Sequence, residues 1–513
     1  MLAKVYSMAV LGIDAFLIGI EADLSEMLPG LTIVGLPDGA VRESRERVMS
    51  AIKNCGFEFP NRKVTINMAP ADMKKEGSGY DLPIAIGLLM ASEQVKNIPL
   101  EAYIVLGELS LDGTVKPVKG VLAMAIKARE MGIKKMVVPS ENAMEASVAE
   151  GVKIYPVHTL SEALEFFTGD SNIEPFTTDL SGLFNQARHY AIDFKDVKGQ
   201  DHIKRALLVA AAGSHNILMV GPPGSGKTML ARRLPTILPD LSLDEALETT
   251  KIHSVAGLLD SNTPLLAIRP FRSPHHTISD AGLIGGGSYP RPGEVSLSHH
   301  GVLFLDELPE FSKNVLENLR QPLEDGKVTI SRALMSLSYP ARFMLAVALN
   351  PCPCGYYTDT RHKCSCKPEQ IQKYMARISG PLLDRIDIHV EVPALTYDEL
   401  SQKTSGQDSA SLRKEVSRAR EIQLSRFKSD RKLFCNAHME SRHIRKYCEL
   451  NEDCQGLLKN AIEKLGLSAR AYDRILKVAR TVADIEGKEF IESAHISEAI
   501  QYRSLDRKLW MAN

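Results

Sequence analysis

The sequence has no long uninterrupted apolar run and no excess of charge of either sign. Its 62 basic and 63 acidic residues leave a net charge of -1, so any nucleic-acid surface has to be local rather than global. The apolar N-terminal stretch, residues 2–20, is interrupted by Lys4 and Asp14, and no small-residue cleavage pattern follows it. Because a membrane-spanning helix needs about 20 apolar residues, we expect two strands that turn near Gly12, in a cytoplasmic protein.

Cysteine is also scarce, since eight in 513 residues are too few for a disulfide scaffold. Four of them form two close pairs with His362 between them: Cys352, Cys354, Cys364 and Cys366. Four thiolates can close a tetrahedral metal site, although the pairs are C-x-C rather than the C-x2-C common in zinc ribbons. The pattern favours structural Zn²⁺, and free or redox-active thiols and an iron–sulfur cluster stay open as alternatives.

The length predicts three domains, because 513 residues exceed what one hydrophobic core organises. Residues 1–168 alternate strand-like and helical runs, which is typical of an α/β domain. Residues 190–392 contain apolar strands that end in polar loops, and residues 411–513 have the helical periodicity of a bundle. The segments 169–180 and 394–411, rich in turn formers and polar residues, are interpreted as linkers.

A glycine-rich loop lies between an apolar strand-like run, Ile217–Val220, and a helical run, residues 229–234. Its residues are Gly221, Pro222, Pro223, Gly224, Ser225, Gly226, Lys227 and Thr228. Such a loop lets successive backbone N–H groups face phosphates at a helix N-terminus, where the helix dipole favours an anion. We therefore expect ATP here, with Lys227 reaching the β and γ phosphates and Thr228 ligating Mg²⁺.

Two further strand ends predict the rest of the hydrolytic site. The apolar run 301–305 ends in Asp306 and Glu307, which we assign to Mg²⁺ and to the attacking water. The run 343–349 ends at Asn350, a neutral amide suited to orienting that water.

Hydrolysis also requires positive charge on the γ-phosphate, which in ring ATPases comes from an arginine of the neighbouring subunit. Arg385 is the first candidate and Arg377 the second, and a surface ion pair is the alternative interpretation of both. Arg470, with Arg474 one turn further on, is the candidate for sensing nucleotide within the same subunit.

Several specific segments carry a family resemblance. They are Val34-Gly-Leu-Pro-Asp38, Pro270-Phe-Arg-Ser-Pro-His-His276, Asn350-Pro-Cys-Pro-Cys-Gly355, residues 378–387 and Ala479-Arg-Thr-Val-Ala-Asp484. Over essentially its whole length the sequence resembles the ComM/YifB family of magnesium-chelatase-like AAA+ proteins. The resemblance implies a hexameric ATPase that moves along DNA and drives branch migration of recombination intermediates, as in natural transformation.

The resemblance also implies kinship with MCM helicases. Residues 384–387 fall on the MCM motif Ser-Arg-Phe-Asp, whose arginine acts across the subunit boundary, and this supports Arg385. The same kinship implies a DNA-gripping pore hairpin at residues 327–334, with Lys327 and Arg332 near its tip, and a second pore loop at residues 285–293. Such contacts grip phosphates, so binding should weaken steeply with salt. Ordinary solvation of two basic residues in a turn is the alternative.

The first domain resembles the Lon protease fold through residues 75–83 and 115–120. Lon needs a serine nucleophile in contact with a lysine base, and these two positions fall on Gly79 and Met124, with Ser78 one residue away. The expected fold is therefore α/β multidomain: a Lon-protease-like α/β domain without the catalytic dyad, an AAA+ P-loop α/β core and a C-terminal helical lid. The first domain would serve as a scaffold or DNA guide.

The leading functional hypothesis is an ATP-driven motor, a homo-hexamer acting on single-stranded or branched DNA, with no membrane partner. The second is a chelatase-type ATPase that remodels a partner protein for metal insertion. The implied Lon-like first domain, which the chelatase ATPase subunit lacks, argues against it. A third, an unfoldase coupled to proteolysis, is disfavoured by Gly79 and Met124.

Overall fold

The computed structural model describes most of the chain in two compact units, residues 1–187 with 243–266, and residues 188–242 with 267–513. The described residues are 2–96, 99–180, 182, 184, 187–260, 263–287, 290–332, 335–357, 359, 361–397, 401, 406–430 and 433–505, without the side chains at 332 and 335. No helix in this part of the chain combines the length and the apolar character that a membrane crossing requires.

The first unit is built on a seven-stranded mixed sheet of order β3-β4-β2-β1-β5-β8-β9, with β6 and β7 paired separately. The strands are β1 (Leu2–Leu11), β2 (Asp14–Ser25), β3 (Gly30–Val34), β4 (Lys63–Ala69), β5 (Tyr103–Val105), β6 (Glu108–Leu109), β7 (Val115–Lys116), β8 (Lys135–Pro139) and β9 (Lys153–Val157). The helices are Gly39–Asn54, Asp81–Ala91, Val121–Glu130, Ala143–Ser147, Leu160–Thr168 and Leu243–Ala256.

The N-terminal stretch forms the predicted pair of strands. β2 is antiparallel to β1 along the whole of β1, and the turn between them contains Gly12, whose φ of +68° suits a residue without a Cβ. Alternate residues of β2, such as Ile18 and Ile20, are fully buried in the core of the first unit, which explains the apolar content of this segment.

The second unit contains a five-stranded parallel sheet of order β11-β14-β17-β10-β18. Two antiparallel hairpins, β12–β13 and β15–β16, accompany it. The strands are β10 (Ile217–Val220), β11 (Phe271–Arg272), β12 (Gly285–Gly286), β13 (Arg291–Pro292), β14 (Val302–Leu305), β15 (Lys327–Arg332), β16 (Met335–Pro340), β17 (Met344–Leu349) and β18 (Ile388–Glu391).

Helices make up the rest of the regular structure of the second unit. Those among the strands are Asp201–Gly213, Lys227–Ile237, Asp280–Ile284, Glu294–Leu297, Lys313–Asn318, Arg320–Asp325, Pro368–Met375 and Gly380–Leu383. Those that follow are Ser409–Arg426, Ser441–Tyr447, Glu452–Leu465, Ala469–Ile485 and Ser493–Gln501. The predicted helical character of the C-terminal segment is confirmed for the described residues.

The start of the C-terminal helices differs from the predicted linker, which extended to residue 411. The first of these helices begins at Ser409, because the Asp408 carboxylate caps it by accepting the N–H of Ser411 at 2.8 Å. One hydrophobic core includes strand residues such as Ile217 and C-terminal residues such as Ile475. The division at 190–392 and 411–513 stays a prediction, since shared packing alone does not decide which segments fold independently.

Candidate active site

The order of the parallel sheet brings three predicted segments to one edge. β10 lies between β17 and β18, with Val220 opposite Leu349, and β14 lies on the far side of β17. Because the strands are parallel, their carboxyl ends meet at the same edge, where open α/β sheets bind ligands. The glycine-rich loop, Asp306 and Asn350 all follow these strand ends.

Glycine is required in the loop for two different reasons. A Cβ on Gly221 would lie 2.1 Å from the carbonyl oxygen of Val392, so only glycine allows this close approach. Gly224 and Gly226 have φ values of +77° and +91°, in the left-handed region that glycine adopts without strain. The loop then passes directly into the helix Lys227–Ile237, and the backbone N–H groups at a helix N-terminus can bind an anion.

Lys227 is held within the loop by neutral oxygen atoms. Its Nζ donates to the carbonyl oxygens of Gly221 at 2.7 Å and Pro222 at 2.9 Å, and to Oδ1 of Asn350 at 3.2 Å. Burial lowers the pKa of Lys227 to about 8, against the opposing charges of Asp306 and Glu307. The structure thus brings together Lys227 and Asn350, which are 123 residues apart in sequence.

Thr228 and Asp306 also meet at this edge. The Thr228 hydroxyl donates to Oδ2 of Asp306 at 2.6 Å. A hydroxyl and a carboxylate oxygen side by side are the hard oxygen ligands that Mg²⁺ prefers, so the two residues fit the predicted metal position.

Glu307 adopts an unusual backbone conformation and points its side chain toward solvent. Its φ is +53°, and its N–H donates to Oδ1 of Asp306 at 3.0 Å. The carboxylate is 53% exposed and lies 3.9 Å from Nδ1 of His276. No role was predicted for His276, although its place after β11, the neighbour of β14, points to this edge of the sheet.

The predicted arginines fall into two places. Arg377 pairs with Glu310 at 3.0 Å and donates to the carbonyl of Pro309. Arg385 is buried, donates to the carbonyl of Pro381 at 2.5 Å and pairs with Glu324.

Arg385, Arg470 and Arg474 line one cavity of about 420 Å³, and no residue of the glycine-rich loop is among the described residues of its wall. Arg470 is exposed and pairs with Asp384 at 3.3 Å. Burial, together with Arg320, Arg470 and Arg474, lowers the pKa of Arg385.

A buried ionic network around Asp387 was not foreseen from the sequence. Asp387 pairs with Arg474 and lies 3.2 Å from Nδ1 of His215, whose Nε2 lies 2.8 Å from the Thr481 hydroxyl. Burial alone would raise the pKa of Asp387, but the Arg474 charge and the His215 hydrogen bond hold it well below the usual range. The network joins the segment of Arg385 to the C-terminal helix Ala469–Ile485.

The hairpin register corrects the predicted position of Lys327. β15 pairs with β16 so that Lys327 lies opposite Pro340 and Arg332 opposite Met335. Lys327 is therefore at the base, five residues from Arg332 and about 17 Å away along an extended strand. The prediction was wrong because residues 327–334 were interpreted as the whole hairpin, whereas they contain only its first strand. The side chain of Arg332 lies outside the described residues.

The glycine-rich segment 285–293 forms the second hairpin, and the two hairpins are in contact. The Tyr339 hydroxyl of β16 donates to the carbonyl of Pro290 at 2.7 Å. A Cβ on Gly285 would lie 2.8 Å from Cδ1 of Ile330 of β15. Residues 288 and 289 lie outside the described part of the chain.

In the first unit, the residues around the Lon-like positions have other partners. Lys75 is fully buried and donates to the carbonyls of Met73, at 2.7 Å, and Pro70, and burial lowers its pKa. Ser78 donates to the carboxylate of Glu108. Gly79 packs against Val118, and Met124 is buried in the helix Val121–Glu130. The lack of peptidase activity stays a prediction.

The four clustered cysteines come together in the loop that follows Asn350. The Sγ of Cys352 lies 3.3 Å from that of Cys354 and 3.7 Å from that of Cys364, and Cys354 and Cys364 are 3.6 Å apart. All four sulfurs, including that of Cys366, lie within 4.8 Å of one another. His362 instead bonds Asp359 at 2.9 Å.

Three family matches cover most of the chain. Residues 193–400 match the family described as magnesium chelatase, subunit ChlI; residues 20–142 match the family described as subunit ChlI of Mg-chelatase; and residues 406–503 match its C-terminal family. These matches assign a magnesium-chelatase, AAA+-like α/β fold, and this family supports an ATPase.

Relatives match over almost the whole length. Competence protein ComM of Haemophilus influenzae is 44% identical over 511 residues, 99% of this chain and 98% of that protein. YifB of Salmonella typhimurium is 46% identical over 510 residues, 99% of this chain and 98% of that protein. Lon protease 2 of Bacillus subtilis is 34% identical over 157 residues, 28% of this chain and 27% of that protein, so the Lon likeness is partial. The chain belongs to the ComM/YifB family of magnesium-chelatase-like AAA+ proteins.

Proposed function

We propose that the chain is an ATP-driven DNA motor that hydrolyses ATP in a hexameric ring and drives branch migration of recombination intermediates. One observation supports it above the others: Lys227, Thr228, Asp306 and Asn350 converge at the carboxyl edge of a parallel sheet, with Thr228 in contact with Asp306 and Lys227 in contact with Asn350. This set can bind a nucleoside triphosphate and hydrolyse it.

In this proposal the glycine-rich loop binds the phosphates and Lys227 leaves its carbonyl partners for the β and γ phosphates. Thr228 and Asp306 would hold Mg²⁺, which would supply neutralising charge to those phosphates. Glu307 takes a proton from water oriented by Asn350, the water oxygen bonds to the γ phosphorus, and the bond to ADP breaks. The half-exposed Glu307 is accessible for that step.

We propose that Arg385 acts on the ATP of the neighbouring subunit, and that Arg470 and Arg474 act with it rather than on their own subunit's nucleotide. The shared cavity supports this assignment. Among the described residues, the buried Nε atoms of Arg385 and Arg474 have no hydrogen-bond partner, so an entering phosphate would satisfy donors that the isolated chain leaves unused.

DNA as the substrate is supported by the name of the Haemophilus relative, a competence protein, and by the pair of contacting hairpins. Beyond Lys327 at the hairpin base, the exposed face of β15 and β16 carries small polar residues, while Val328 and Tyr339 face inward; the small residues are Thr329, Ser331, Ser336 and Ser338. Such a face can approach a sugar-phosphate backbone closely without reading bases. A motor of this kind works in the cytoplasm, where the DNA is.

For the remaining segments we propose three domains: a Lon-protease-like domain at 1–168, acting as scaffold or DNA guide without the dyad, an ATPase core at 190–392 and a helical lid at 411–513. The partial Lon likeness and the three separate family matches support this division.

The alternative, a chelatase-type ATPase that remodels a partner protein, is favoured by the description of the matched families. Residues 20–142 match a family described as a Mg-chelatase subunit, which weakens the argument that a chelatase subunit lacks this domain. The two hypotheses differ in stimulus, because ATP turnover would respond to a protein partner in one and to DNA in the other.

The test measures ATP turnover and displacement of a labelled strand from a branched junction, with and without DNA. Lys227→Ala should abolish both activities, and Arg332→Ala should reduce displacement while basal turnover persists. Absence of strand displacement and of DNA stimulation in the wild-type chain would refute the motor.

The arginine assignment is tested by mixing two inactive variants. Glu307→Gln and Arg385→Ala subunits damage different halves of a shared pocket, so a mixture should regain part of the turnover that neither has alone. No recovery in rings shown to contain both variants would contradict an arginine acting across the boundary.

A further inference from the structure

The four clustered thiols have the spacing of ligands around a single ion. The sulfurs of Cys352, Cys354 and Cys364 lie 3.3, 3.6 and 3.7 Å apart, and the sulfur of Cys366 lies within 4.8 Å of each of them. With Zn–S bonds of about 2.3 Å, the edge of a regular ZnS₄ tetrahedron is about 3.8 Å. The sulfur set is therefore already close to the size that a tetrahedral zinc ion requires.

Two other uses of the thiols fit this geometry less well. A disulfide needs sulfurs about 2.05 Å apart and would join one pair, leaving the second pair without a reason to converge. An iron–sulfur cluster distributes its cysteines over different iron atoms, which separates them further than ligands of one ion. We propose that Cys352, Cys354, Cys364 and Cys366 bind one structural zinc ion.

The proposed zinc loop forms one wall of the nucleotide site. Cys352 follows Asn350 by two residues, and Asn350 contacts Lys227. Gly355, in the same loop, packs so closely on the glycine-rich loop that a Cβ there would lie 2.4 Å from Cδ of Pro223. The zinc ion would therefore fix both Asn350 and the face against which Pro223 packs.

This role of zinc is structural, and its link to nucleotide rests on the proposed ATPase function. All four positions are occupied by protein sulfur, which leaves no open site for water or substrate, as in closed structural zinc sites. Loss of the ion would let the four cysteines protonate, remove the cross-link that joins them and loosen Asn350 against Lys227. The expected effect is weaker nucleotide binding rather than a changed chemical step.

Zinc content of the full-length chain, purified without metal-affinity resin, is the first measurement. We expect about one zinc per chain in the wild type and in Cys55→Ser, a control cysteine outside the cluster, and well below half in Cys364→Ser. Iron in place of zinc, or less than about a tenth of an equivalent of zinc with four freely reactive thiols in the cluster, would overturn the proposal.

Binding of a fluorescent ATP analogue is the second measurement. Cys364→Ser should weaken binding about tenfold, which is the size of effect seen when residues that orient the ligands of a metal site are replaced. Cys55→Ser should leave binding unchanged. Because the variant can fail to fold, wild-type protein treated with a zinc chelator provides the same comparison, with circular dichroism to follow the fold. Unchanged affinity after zinc loss would overturn the link to the ATP site. Failure of the wild type to bind ATP would instead count against the proposed function and leave the zinc measurement intact.

Discussion

Lys227 gives a prediction whose size follows from its surroundings. In the nucleotide-free chain its Nζ is bound by two carbonyl oxygens and an amide oxygen, none of them charged, and burial lowers its pKa to about 8. ATP phosphates beside the ammonium group would raise that pKa again. ATP should therefore bind the protonated form, and affinity should fall as pH rises through the free-chain pKa.

The expected change is about tenfold. With a pKa of about 8, roughly nine-tenths of Lys227 is protonated at about pH 7 and roughly one-tenth at about pH 9. The apparent Kd scales inversely with the competent fraction. Titration of a fluorescent ATP analogue at several pH values measures this directly, and calorimetry in two buffers of different protonation enthalpy should show proton uptake above about pH 8.

The matched control is Lys227→Arg, since a guanidinium stays charged throughout this range. Its affinity, whatever its absolute value, should not fall between about pH 7 and pH 9. A wild-type affinity that is equally flat would refute the reasoning, because it would mean that burial does not depress the Lys227 pKa.

Three further predictions concern other sites. Glu307→Gln should retain ATP binding but lose about 10²- to 10⁴-fold in turnover, measured under single-turnover conditions, and equal loss of binding would contradict a role in activating water. Asp387→Asn should lower the free energy of unfolding in urea by about 3 kcal/mol at neutral pH, since it leaves Arg474 without its buried partner. Because the pKa of Asp387 is depressed in the folded chain, this stabilisation should be present above the unfolded pKa of about 4 and lost only as pH falls toward the folded value. A difference in unfolding free energy between wild type and variant that peaks at acid pH would contradict this ion pair. Arg332→Ala should reduce both the DNA affinity and its salt dependence more than Lys327→Ala does, because Lys327 lies at the base of the hairpin. If filter binding gives the reverse order, the hairpin base rather than its tip contacts DNA.

Local pattern along the chain was enough to predict several features. The glycine-rich loop was readable because strand, glycines and helix are contiguous, and the carboxylates and Asn350 because each ends an apolar strand. The turn at Gly12 followed from the same logic. These features depend on neighbours along the chain, where composition and periodicity act directly.

Which distant groups meet could be read only from the folded chain. The contacts of Lys227 with Asn350 and of Arg474 with Asp387 depend on strand order and helix packing across long sequence separations. The hairpin register moved Lys327 away from the tip, since a second strand lies beyond the segment that its pattern suggested. The cysteine spacing is compatible with a metal among other uses, and only the folded loop brings the four sulfurs within 4.8 Å of one another, because side-chain distances are set by the path of the backbone between them.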